Sequence, residues 1–208
     1  MKKKSLALMM AVMLLFGVVV GGTVAWLSAT SLEVKNTFTV GNIEILLNEK
    51  DIDGDSDETD NVTVNDVTRD RANKYKLIPG SSYEKDPKVT VKANSEDCWV
   101  FVKIEKSANF DTFMTYTMTT TGWTALPDVD GVYYRKVTTS AVDQDFDVLD
   151  GNIVTVPNTV TKANMDTLYT DGVIDTNKLP TLTFTAYAVQ YHATNIADAA
   201  TAWTIANT

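Results

Sequence analysis

The chain has 208 residues, with 27 Asp and Glu against 18 Lys and Arg, a net charge of −9 and one cysteine. That balance excludes nucleic acid as a partner, because binding it depends on neutralising phosphates with Lys and Arg. The lone Cys98 excludes an intrachain disulfide, so a hydrophobic core or assembly must supply the stability.

Lys2, Lys3 and Lys4 open the chain, an apolar run follows over residues 6–20, and Gly21-Gly22-Thr23-Val24-Ala25 closes it. This is the three-part plan of a secretory signal peptide. The small side chains of Thr23 and Ala25 occupy the −3 and −1 positions that a signal peptidase requires. The expected cut lies after Ala25, leaving Trp26 as the first mature residue. An uncleaved anchor would need about 20 apolar residues to span a bilayer, and this run has 15. The membrane is therefore expected to hold the chain only through residues 1–25, before cleavage. Taking Lys2–Lys4 from a chain of charge −9 leaves −12 on the mature protein. An acidic surface keeps an exported protein in solution and attracts divalent cations.

Beyond the signal, Thr, Val, Ile, Tyr, Phe and Trp dominate, the composition of strands. Residues 38–47 read as a strand pair or one long bent strand. Residues 51–73 are polar and read as an acidic loop. Residues 87–92 alternate polar and apolar, and residues 99–106 set Val100, Val102 and Ile104 on one face. Residues 132–137 and 153–156 are shorter candidates. Residues 182–191 are long and largely apolar, which predicts a central strand. Residues 161–169 suggest a short helix within a connection. Residues 195–205 predict a C-terminal helix with Asn195 as its cap and a stripe of Ile196, Ala199, Ala200 and Trp203. Period-two alternation broken by turn signals argues for an all-β domain over residues 37–208: a jelly-roll-like β-sandwich with a short C-terminal helix, preceded by the signal-peptide helix.

Residues that carry chemistry are few. His192 is the one histidine, and no HExxH pair is present to hold a catalytic zinc. Cys98, between Asp97 and Trp99 at the start of a strand, reads as a buried thiol. Asp51, Asp53, Asp55 and Asp57 place carboxylates at alternate positions, a pattern that can offer calcium several oxygens. Counted from Asp51, however, Gly54 is fourth rather than sixth and Val62 stands where a bidentate Glu belongs, so a solvated acidic loop is the competing reading. No cofactor is required by any motif; calcium is the one candidate. Trp26, Trp99, Trp123 and Trp203, with Tyr133, Tyr134, Tyr187 and Tyr191, suit either a ligand platform or a core, and a chain without disulfides favours the core.

Three segments carry a resemblance. Gly21-Gly22-Thr23-Val24-Ala25-Trp26-Leu27, with Asn36-Thr37-Phe38-Thr39-Val40-Gly41-Asn42-Ile43-Glu44-Ile45 after it, resembles the N-terminus of the TasA/camelysin family. Leu77-Ile78-Pro79-Gly80-Ser81-Ser82-Tyr83-Glu84-Lys85-Asp86-Pro87 is similar to the family's "PG…K" segment, and Thr185-Ala186-Tyr187-Ala188-Val189-Gln190 to its closing strand. The matches cover the two ends and the first third of the chain, and residues 108–178 match nothing. The resemblance implies a jelly roll exported by Gram-positive bacteria through a SipW-type signal peptidase. It implies a homo-oligomeric fibre of the biofilm matrix or cell surface, in which the N-terminal segment of one subunit completes the sheet of the next. Residues 26–36 suit that role as an arm: Leu32 and Val34 alternate with Ser31, Glu33 and Lys35, as in a half-buried added strand. Because camelysin is classed as a metallopeptidase, the resemblance also carries an enzyme alternative, but no catalytic residue transfers to this sequence. A monomeric adhesion or ligand-binding module of the cell surface is the third reading.

Overall fold

The structure, a computed structural model, describes residues 41–52, 62–64, 67–71, 73–191 and 196–208, all within the compact unit Gly41–Thr208. The expected signal peptide and arm, with Thr23, Ala25, Trp26, Leu32 and Val34, lie outside the described residues, as do Asp53, Asp55, Asp57 and His192.

The first strands along the chain are β1 (Ile45–Lys50), β2 (Val62–Val64), β3 (Val67–Asp70), β4 (Ser82–Glu84) and β5 (Lys88–Val91). The long β6 (Cys98–Lys106) leads through a one-turn helix α1 (Phe110–Phe113) to β7 (Thr115–Met118), β8 (Thr124–Ala125) and β9 (Val132–Val137). Next come β10 (Gln144–Asp147), β11 (Leu149–Thr155), helix α2 (Lys162–Asp166) and the small hairpin β12 (Tyr169–Thr170) and β13 (Val173–Ile174). The chain ends with β14 (Leu182–Gln190) and helix α3 (Ala199–Ala206). Every strand pair among the described residues is antiparallel. The fold is thus all-β with a short C-terminal helix, as the alternation predicted.

Two sheets dominate, one ordered β10-β5-β1-β3-β2 and the other β14-β6-β9-β8; β4-β11-β7 makes a third. The main core draws Val89 and Val91 from β5, Val100, Val102 and Ile104 from β6, and Leu149 and Val154 from β11. Ile45 and Leu47 of β1 and Phe184, Ala186 and Ala188 of β14 pack against it. The other face of β6 carries Trp99 and Phe101 into a second cluster with Trp203, Ala199 and Ala202 of α3. Trp203 packs on Phe101 in a tilted arrangement with ring centres 5.4 Å apart and meets Tyr187 edge-on at 5.1 Å. Trp99, Trp123 and Trp203 are all buried, so these aromatics are core and not an exposed platform. Burying two faces of one strand explains why β6 reads as a nearly continuous apolar run.

Several sequence expectations change. Residues 51–73 are not wholly loop: β2 and β3 form a hairpin there, and β3 pairs with the end of β1 through Glu49↔Asp70 and Lys50↔Arg69. The C-terminal helix starts later than expected, because the carboxylate of Asp198 accepts the N–H of Thr201 at 2.8 Å and so caps it. A capping carboxylate also fits the positive end of the helix dipole. Strand β14, expected to be central, pairs among the described residues only with β6. Its apolar character comes from cover on both faces: Phe184, Ala186 and Ala188 meet the main core, while Tyr187 and Val189 meet the α3 cluster. Helix α2 does form, with Thr161 and Asn164 closing a reciprocal capping box.

Candidate functional site

Strands β1 and β14 each leave one long edge without a ladder among the described residues. In β1, Ile45–Asn48 pair with Val91–Lys88 of β5, and only Glu49 and Lys50 reach β3 on the other side. In β14, all nine residues pair with β6. No backbone hydrogen bond joins β1 to β14 among the described residues, and a cleft of about 440 Å³ is lined by Ile45, Leu46, Leu47 and Asn48 from one and Phe184, Thr185 and Ala186 from the other. Unpaired N–H and C=O groups along such edges are a template for an added strand.

One end of the cleft is closed by buried charge. Lys85 Nζ donates to both carboxylate oxygens of Glu49, at 3.0 and 2.7 Å, with each side chain 8% exposed. The ammonium also lies 5.1 Å from the centre of the Tyr75 ring and 5.5 Å from that of Phe184. Beside it, Arg69 donates to Asp86 Oδ2 at 2.8 Å and to Asn48 Oδ1 at 2.6 Å. The other oxygen of Asp86 accepts the backbone N–H of Lys50 at 2.6 Å. Two cations and two carboxylates are thereby neutralised pairwise, which is the condition for keeping charge out of water. The sequence places Glu49 after the apolar Ile45-Leu46-Leu47 and sets Lys85 beside Asp86, but their partners stand 36 and 17 residues away.

The segment that carries the "PG…K" resemblance is what delivers Lys85 and Asp86 to this place. Gly80 adopts φ +81, a conformation that disfavours side chains, and its N–H bonds the carbonyl of Val156 at 2.8 Å. Strand β4 then pairs with β11, and the N–H of Lys85 bonds the carbonyl of Asn152 at 2.8 Å. The turn and the short strand fix where the chain re-enters the interior.

Of the other predicted site residues, Asp51 is described and sits just beyond β1. Among the described residues, no group of three or more His, Cys, Asp or Glu side chains is arranged to hold a metal ion. Cys98 is fully buried, and burial, aided by the charge of Asp97, pushes its thiol up to about 11. Thiolate chemistry needs a lowered pKa, so this sulfur serves packing. No helix among the described residues is long and apolar enough to cross a membrane. In comparisons with known proteins, the chain matches no family model, no curated protein and no solved structure.

Proposed function

We propose that this is a secreted structural protein that self-assembles into extracellular or biofilm-matrix fibres, with the N-terminal arm of one copy completing a sheet of the next. On this reading residues 1–25 are the export signal, the strands form a jelly-roll sandwich, and residues 26–36 are the donor strand. The observation that carries the proposal is the cleft between the edges of β1 and β14 that carry no ladder among the described residues. An edge strand that is apolar on both faces gains hydrogen bonds and apolar contact from an added strand. Leu32 and Val34 of the arm, two residues apart, would present their side chains on one face. An arm that docks on the next copy makes a head-to-tail contact, and head-to-tail contacts that do not close give a filament.

Negative-stain microscopy of the chain beginning at Trp26 tests this. Fibres are expected from that chain, and a folded monomer from the chain lacking residues 26–36. Fibres that persist without the arm, or monodisperse particles at every concentration with it, would overturn the proposal.

A further inference from the structure

A separate cleft, of about 510 Å³, lies beside β9 and β10; Thr119, Thr121, Arg135, Phe146 and Asn152 line it, and Asp145 and Asp147 belong to its lining too. That size is within the roughly 300–1,000 Å³ of small-molecule sites. In β9, Tyr133 and Val137 pack in the main core while Tyr134 packs in the α3 cluster. Alternation therefore sends Arg135 to the main-core side. Its guanidinium carbon lies 3.6 Å from the centre of the Phe146 ring and 5.3 Å from that of Trp123. An arginine carries five N–H donors and no acceptor. The side chain of Arg135 makes no hydrogen bond and no ion pair among the described residues, and its Nε is buried without a partner there.

The surroundings make room for this cation without neutralising it. Gly122, at φ +75, stands so close that a Cβ there would lie 2.8 Å from Arg135 Nη2. Asp145 and Asp147 flank Phe146 on β10 and turn to the opposite face. Asp145 accepts the hydroxyl of Thr90 at 2.6 Å, and Asp147 lies 3.5 Å from Lys88 Nζ. Asn152 adds a second buried polar atom without a partner, its Oδ1. Burial lowers the pKa of Arg135, as expected for a charge removed from water and not paired.

We propose that this cleft binds a hydroxylated carboxylate, the chemistry of a uronic acid residue. The Arg135 fork takes the carboxylate, and Thr119, Thr121 and Asn152 take the hydroxyls. A planar guanidinium matches a carboxylate bidentately, and an incoming anion gives this half-buried cation the partner it lacks among the described residues. The site is independent of the β1–β14 cleft and of any assembly there.

Trp123 reports on the site, because its ring lies beside the guanidinium. The full chain is titrated with galacturonate, with galactose and with inorganic phosphate, while tryptophan emission is followed. Galacturonate is expected to give a saturable change, and galactose, which lacks the carboxylate, to bind about tenfold more weakly or worse. R135K keeps the charge but loses the fork, and is expected to weaken galacturonate about tenfold. T121V, which leaves the guanidinium in place, is expected to weaken it about threefold; circular dichroism establishes that each variant is folded. The proposal is overturned by no saturable response to galacturonate, by equal affinity for galactose, by tighter binding of phosphate, or by unchanged galacturonate affinity in folded R135K or in T121V.

Discussion

Glu49 and Lys85 are each safe in the interior only because of the other. Changing Glu49 to Gln leaves the Lys85 ammonium buried with an amide oxygen for a partner, and breaking such a pair from one side costs about 3–5 kcal/mol. The double variant E49M/K85M removes both charges and retains apolar volume, so it is expected to recover most of that loss. Urea unfolding of the two single variants and the double variant measures the coupling. Cys98 gives a second residue-scale prediction. Its folded pKa, about 11, stands above the ordinary value of 9.0. Between those values the native thiol keeps a proton that the unfolded chain has lost. Stability should therefore be intact below pH 9 and fall as pH rises toward 11, by up to about 3 kcal/mol. Urea midpoints at either end of that window check this, and C98A should flatten the part of the slope that the thiol contributes.

Among the elements, α3 and β14 depend on each other. Helix α3 is only eight residues long, too short to hold together by backbone bonds alone. It persists because Asp198 caps it and because Trp203 seats against Phe101 and Tyr187. D198A is expected to cost about 1 kcal/mol and to loosen Trp203, which near-ultraviolet circular dichroism reads directly. The same packing covers one face of β14 without using the edge opposite β6, which carries no ladder among the described residues. On the proposed function, that combination suits the element to receiving a strand. The small residues Ala186 and Ala188 on β14 suit a strand covered closely on its inner face, where the main core approaches.

At the scale of the whole molecule, the proposed assembly has to work against charge. On that proposal, subunits lacking residues 1–25 would carry −12 and repel one another, and that repulsion is screened by salt. Assembly of the chain beginning at Trp26 should accelerate as ionic strength rises from about 0.01 M to about 0.15 M, where the screening length falls from about 30 Å to about 8 Å. Light scattering against time gives the lag. A lag that lengthened with salt would mean that attraction between charged patches, and not burial of the arm, drives association.

The β class, the strands β5, β6, β9 and β14 and the C-terminal helix follow from local signals, while eight of the fourteen strands among the described residues, most of them short, carry no signal of their own. Residues 132–137 were placed to the residue, and β6 and β14 to within one, because period-two alternation and β-branched composition act over a few neighbours. Local reading failed where a distant partner decides. The strand β3 is legible only once β1 stands beside it, and the cap at Asp198 shows only in the folded helix, the expected cap Asn195 lying outside the described residues. The run of apolar residues in β14 records burial of both faces, which sequence alone cannot tell from a central position. The charged knot was equally hidden: Glu49, Arg69, Lys85 and Asp86 look like surface residues until the turn at Gly80 brings them together. Sequence by itself therefore determined the β class and which of the longer segments could be strands. Only the tertiary structure decided which edges carry no ladder, which charges are paired and which arginine has no anion among the described residues, because edges and partners are properties of neighbours far apart in the chain.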